Sequence, residues 1–176
     1  MEIIFVRHAE KGELGEDPSL TEKGKRQAEH LAKTLSKFKA FDDFYCSDLD
    51  RAKQTAKIVS KKIKKKPRIE KSLNEFKSET LKENKSKWSN EEKKHYKDLI
   101  SFLKRITKNP NEKNKILIIA HGITNRVILS FFLKLNMKRL IQFRARETAI
   151  NSIYWVDKFK NWRLKYWETI VICLKN

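Results

Sequence analysis

The sequence predicts an α/β fold, a three-layer sandwich with a mostly parallel central sheet flanked by helices, and three observations carry that reading. Short apolar runs of strand length alternate with longer segments whose apolar residues recur at helical spacing. Two of the runs, at residues 2–6 (EIIFV) and 115–120 (KILIIA), are almost wholly apolar, as strands buried on both faces are. Both open at once onto a polar pair, Arg7-His8 and His121-Gly122. Ligands of such sheets bind beyond the carboxyl ends of the strands, so the two histidines are aimed at one edge.

The elements follow in order. After the first strand, Gly12, Gly15, Asp17 and Pro18 mark residues 10–20 as a loop. Thr21 is placed to cap a helix whose stripe is Ala28, Leu31, Ala32, Leu35 and Phe38, ending near Lys39. Phe41 to Cys46 is a second short strand, and Ser47 is the expected cap of a helix striped by Ala52, Thr55, Ala56, Val59 and Ile63. Pro67 is expected to stop that helix, with Arg68 to Leu73 extended. Residues 74–87 are polar and without period, a loop or insertion. Leu99, Phe102, Leu103 and Ile106 lie on a long third helix that also takes in Trp88, His95 and Tyr96 and ends at Asn109-Pro110. Ile123, Val127, Ile128, Phe131, Phe132 and Leu135 form a fourth. Residues 148–157 and 162–172 read as two strands joined around Lys158 to Asn161. In the second, Trp162, Leu164 and Tyr166 alternate with Arg163 and Lys165, which suits an edge.

The chain has 176 residues and no linker long enough to divide it, so one domain over 1–176 is expected. Lysine and arginine number 41 against 22 acids, a formal charge of +19. Hydrophobic residues make up 39%, too much for a disordered polycation, and four glycines and three prolines exclude collagen-like sequence. No apolar run is long enough to span a bilayer, and the opening stretch is too short for a secretory leader. Cys46 and Cys173 make no disulfide framework and have no metal-ligand spacing. A cytoplasmic setting is expected, without cofactor or metal. Seven basic residues fall between Lys61 and Lys71, but basic residues coat almost every segment, so this run reads as a solvated face. The charge points to an anionic ligand without naming it.

Arg7, His8, His121 and Arg51, the last on the first turn of a helix, would together make a pocket for a tetrahedral dianion, since arginine forks match phosphate oxygens. Nearby cations disfavour protonation of an imidazole there, leaving it able to attack phosphorus. If the arginines carry the transition-state charge, no metal is required.

Three motifs add a resemblance. Arg7-His8-Ala9 is followed by Leu20, Thr21, Gly24, Gln27 and Ala28 in an "LTxxGxxQA" pattern. Ser47 to Ala56 (SDLDRAKQTA) resembles "SxLxRAxQTA", and Ala120-His121-Gly122 resembles a second histidine block. In this order the motifs resemble the histidine phosphatase superfamily, the phosphoglycerate-mutase-like proteins, over residues 3–125, and residues 148–157 are compatible with its closing strand.

The resemblance implies a phosphoglycerate-mutase-like fold, with His8 as the phosphorylated nucleophile and Arg7 and Arg51 binding the phosphoryl group. His121 would hold phosphoryl oxygens and stabilise the transition state. Leu73-Asn74-Glu75 fits the family's "LxE" context, which makes Glu75 the candidate general acid, with Glu79 as the alternative. Ala9 stands where the family has glycine, and Leu14 where mutase-like members commonly carry asparagine. The resemblance is closest to the small phosphatases and phosphohistidine phosphatases. It implies a metal-independent phosphatase that hydrolyses a phosphomonoester or a protein phosphohistidine through a phosphohistidine intermediate on His8, the substrate being a phosphorylated small molecule or a phosphoprotein. Two alternatives are a basic nucleic-acid- or polyanion-binding module that retains a phosphate pocket and, less favoured, a mutase. His30 and His95 read as structural and the four tryptophans as core packing.

Overall fold

The computed structural model describes residues 1–77 and 87–169. The elements are β1 (Glu2–Arg7), α1 (Glu22–Leu35), β2 (Asp43–Cys46), α2 (Asp50–Ile63), β3 (Arg68–Ile69), α3 (Asn90–Ile106), β4 (Lys115–Ala120), α4 (Gly122–Leu133), β5 (Ile150–Val156) and β6 (Asn161–Thr169). They build a six-stranded sheet in the order β3-β2-β4-β1-β5-β6. The first four in that order run parallel, and β5 and β6 are antiparallel to their neighbours, so the sheet is mixed with a parallel majority.

The layers follow from the two-residue period of the strands. Ile3, Phe5, Ile116 and Ile118 face one side, where they pack with Leu99, Phe102 and Leu103 of α3 and Val127, Ile128 and Phe132 of α4. Ile4, Val6, Leu117 and Ile119 face the other, against Leu31 and Leu35 of α1 and Ala56 and Val59 of α2. Fully burying each such side chain contributes roughly 1.5–3 kcal/mol, which is why β1 is apolar from Ile3 to Val6 and β4 from Ile116 to Ala120.

Thr21 caps α1 as expected, its hydroxyl accepting from the Gly24 amide. Glycine at 24 has a reason that the motif does not state: a Cβ there would lie 2.0 Å from the Glu10 carbonyl oxygen. The first turn of α1 thus packs backbone to backbone on the chain leaving β1. Thr21 tightens that contact, donating from its amide to the Glu10 carbonyl and from its hydroxyl to the Glu10 carboxylate.

Several boundaries differ from the sequence reading. Helix α1 ends at Leu35, short of Lys39, and Phe38 instead stacks on Phe41. The α2 cap position is Leu49 rather than Ser47, and the Ser47 side chain is used elsewhere. Helix α2 closes at Lys64 in the left-handed region, upstream of Pro67. Lys134 and Lys160 close α4 and the turn before β6 in the same conformation, which glycine would adopt at lower cost. The expected strand from Arg68 to Leu73 is two residues of β3 followed by a 3-10 turn at Lys71–Leu73. Trp88 lies before α3, whose cap is Ser89, yet is buried against Tyr96. Register shifts against β5 break the alternation of β6, so Trp162 and Tyr166 pack into opposite layers. The remainder of the expected last strand, and Cys173, lie outside the described residues. Among the described residues, no helix is long and apolar enough to cross a membrane.

Candidate active site

The register of β1 against β4 pairs Arg7 with Ala120, so the next residues, His8 and His121, leave the sheet side by side. Their ring centroids are 5.0 Å apart. The amide of His8 donates to the Ala120 carbonyl and that of Ser47, after β2, to Ile119, so three parallel strands deliver their ends to one place. The separation of the two histidine motifs along the sequence vanishes in the sheet.

His8 is 2% exposed. Its Nδ1–H donates to the Ala9 carbonyl at 2.7 Å, since a carbonyl can only accept. Nε2 therefore carries the lone pair, and it accepts from Arg51 Nε–H at 3.2 Å. Burial, reinforced by the charges of Arg7, Arg51 and Lys11, drives the imidazole pKa from the ordinary 6.5 down to about 3. The ring is neutral near pH 7. Ala9, in the family's glycine position, does not have positive φ, and its amide donates to the Thr55 hydroxyl.

Arg51, on the first turn of α2, is held from the loop between β1 and α1. Asp17 accepts from Arg51 Nη1 at 3.0 Å and, through its other oxygen, from the Asp50 amide at 2.6 Å. One carboxylate thus caps α2 from outside and orients the guanidinium. Arg7 is steered from the segment before β5: Nη1 donates to the Ala145 carbonyl and Nη2 pairs with Glu147, both at 2.7 Å. Among the described residues, its Nε is buried with no partner. Leu14 is 91% exposed, so the mutase asparagine position presents no polar group here.

His121 is fully buried and takes the backbone position of the α4 cap without using its side chain there. Its Nε2 lies 2.7 Å from Ser47 Oγ, and burial followed by His8, Arg51 and Arg7 keeps its pKa well below the ordinary value. The helix is capped instead by Glu75. Glu75 Oε1 accepts from the amides of Ile123 at 3.0 Å and Thr124 at 3.3 Å, with the Thr124 hydroxyl at 3.4 Å. Burial outweighs those bonds and the charges of Arg7 and Arg51, and pushes the carboxyl pKa up. The loop carrying Glu75 is fixed by His95, whose Nε2–H donates to the Ser72 carbonyl while its ring stacks on Phe76 at 3.9 Å. The structure thus gives His95 a place in the scaffold.

Arg7, His8, Arg51, Glu75 and His121 therefore converge, and Glu79 lies outside the described residues. Sequence reasoning missed Asp17, Asn74, Thr124 and Glu147, which orient the others. Asp17 sits three residues before Leu20-Thr21, where the sequence marks only a loop. The rest act through contacts no local pattern encodes. Among the described residues, no group of three histidine, cysteine or carboxylate side chains could hold a metal ion. Cys46 is buried in β2, its thiol pushed up to about 12 by burial.

Comparison with known proteins matches the model of the histidine phosphatase superfamily (branch 1) over residues 3–100 and 94–169. Phosphoglycerate mutase-like protein 4 of Arabidopsis thaliana is 38% identical over 71 residues, covering 36% of this chain but only 31% of that protein. The fold is similar to that of a phosphoserine phosphatase mutant from Entamoeba histolytica solved with phosphoserine. The TM-score is 0.77 at 18% identity, over 96% of this chain and 97% of that one. The α-ribazole phosphatase of Shigella flexneri gives 0.74 at 21% identity, over the whole of both chains.

Proposed function

The chain belongs to the histidine phosphatase superfamily, and from that premise we propose that it is a metal-independent phosphatase working through a phosphohistidine on His8. The observation that carries the reading is the lone pair on Nε2 of a neutral, buried His8, which meets Arg51 Nε–H and lies among Arg7 and His121. A ring locked with Nδ1–H on a carbonyl can use only Nε2 as nucleophile, and the same bond stabilises the positive charge that attack develops on the ring.

In the first step Nε2 attacks phosphorus and the bond from phosphorus to the leaving oxygen breaks. Glu75 gives that oxygen its proton. Oε1 is committed as an acceptor to the start of α4, so the acidic proton sits on Oε2. Arg7 and Arg51 offer fixed donors to the phosphoryl oxygens in a buried site, where such groups stabilise developing charge most. In the second step water attacks phosphorus and the phosphorus–nitrogen bond breaks. Glu75, now a carboxylate, takes the proton from that water, and phosphate leaves a neutral His8.

The acid suits an alkyl phosphomonoester, whose leaving oxygen requires protonation, better than a phosphohistidine, whose nitrogen departs more readily. A phosphorylated small molecule or a phosphoprotein presenting a monoester is accordingly the proposed substrate class, in a cytoplasmic setting. The polyanion-binding alternative rests on net charge and the basic run from Lys61 to Lys71. The test is hydrolysis of an aryl phosphate in EDTA by wild type and His8→Ala: wild type turns over and the variant does not. Equal rates would reject His8 as nucleophile, and loss of wild-type activity in EDTA would reject metal independence.

A further inference from the structure

The hydrogen bonds behind His121 form a ladder in which every proton can be assigned. The Asp48 amide donates to Asn74 Oδ1 at 3.0 Å, which fixes that oxygen as the acceptor end of the amide. Ser47 Oγ lies 2.8 Å from the same Oδ1, so the hydroxyl must donate to it. With its only hydrogen committed, Ser47 Oγ can only accept from elsewhere. It does so from the Leu49 amide at 3.2 Å and from His121 Nε2 at 2.7 Å. His121 therefore carries its proton on Nε2. Among the described residues, its Nδ1 is left as a buried lone pair with no partner.

A lone pair repels a phosphate oxygen; only N–H, or an oxygen bearing its own proton, makes a bond there. The groups facing His121 do not supply that proton by charge. His8 at the end of β1, Arg7 beside it, Arg51 from α2 and His95 from α3 all work against protonating the free ring. Glu75 is engaged at the start of α4. An arriving anion reverses the balance.

We propose that Asn74 and Ser47 are positioning residues that lock His121 in its Nε2–H form, so that a phosphoryl group enters this site together with one proton. The proton resides on a phosphoryl oxygen donating to Nδ1, or on Nδ1 donating to that oxygen; the count is the same. This deepens the phosphatase reading and rests on it, since His121 must meet the phosphoryl group. Over the range in which a phosphate exists mainly as its dianion, affinity falls about tenfold for each pH unit, as linkage to one proton requires.

Two measurements test it. Nitrogen NMR of the free protein is expected to show His121 as Nε2–H in wild type. Asn74→Ala releases the Ser47 hydroxyl to donate to Nε2 and moves the ring to Nδ1–H, whereas Asn74→Asp, which retains the acceptor, keeps the wild-type form. Calorimetry of inorganic phosphate binding at pH 8, in buffers of different ionisation enthalpy, is expected to show uptake of about one proton by wild type and much less by Asn74→Ala. An Nδ1–H ring in the free wild type, or phosphate binding without proton uptake, would overturn the proposal. Should Asn74→Ala not fold, the wild-type tautomer and proton count still decide. A protein that binds no phosphate while showing the Nε2–H ring would count against the phosphatase reading and leave the ladder standing.

Discussion

Arg51 Nε donates to Nε2 of His8 at 3.2 Å, so the lone pair that would attack phosphorus is covered by a group that would bind the phosphate. Asp17 holds Arg51 in that place, across an ion pair whose arginine side is only 8% exposed. Arg51→Lys preserves the charge but loses the planar fork and the Nε donor. It is expected to reduce kcat/KM by about 10²–10³, measured on any ester the wild type hydrolyses.

Glu75→Gln removes the acidic proton and keeps an oxygen for the α4 amides. Alkyl phosphate turnover is expected to fall by about 10²–10⁴, with a smaller loss on an aryl phosphate whose leaving oxygen needs no acid. Burial raises the carboxyl pKa, so wild-type activity on alkyl esters should fall as pH rises through that raised value. Glu75→Gln should lack this alkaline limb. Equal losses of kcat/KM, which excludes the water step common to both esters, would remove Glu75 from the role of acid.

Acid should destabilise the fold through its buried histidines. His8 has a folded pKa of about 3 against an ordinary 6.5, so the unfolded chain binds the proton first as pH falls. The contribution is complete above pH 6.5 and is lost between there and about 3. His121 acts in the same direction. Each histidine held neutral costs about 1.4 kcal/mol of stability per pH unit in that window. Thermal melts at pH 7 and pH 5 should show a smaller drop for His8→Ala than for wild type.

Gly24→Ala should destabilise, against the helix preference for alanine of about 1 kcal/mol. The added methyl would sit 2.0 Å from the Glu10 carbonyl, and the backbone must move apart. A net loss of about 1–3 kcal/mol is expected from urea unfolding. Lys134→Gly should do the reverse, relieving a left-handed lysine by up to about 1 kcal/mol.

The sequence was most legible where a buried strand ends. KILIIA matches β4 residue for residue because burial on both faces leaves only apolar side chains after Lys115. The same logic places His8 and His121 at one edge. Boundaries set by capping were harder: Ser47 has the chemistry of an N-cap, but its hydroxyl is committed to Asn74 and His121 instead. The cap of α2 comes from Asp17 and that of α4 from Glu75, both remote in sequence. Local propensity has no means of registering such remote acceptors. The alternation in β6 rightly suits the sheet edge that it occupies, but bulges reset its period, a property of the pairing with β5 rather than of the strand.

The central claim is a covalent phosphohistidine on His8. The most direct measurement is rapid acid-free denaturation during turnover of a radiolabelled phosphomonoester in EDTA, followed by peptide mapping of wild type and His8→Ala. Wild type is expected to carry an acid-labile, base-stable label on the peptide containing His8, formed no more slowly than product appears, and His8→Ala to carry no label and release no phosphate. A His8→Ala protein that hydrolyses the ester at the wild-type rate, or a label that resides on another residue, would contradict the account.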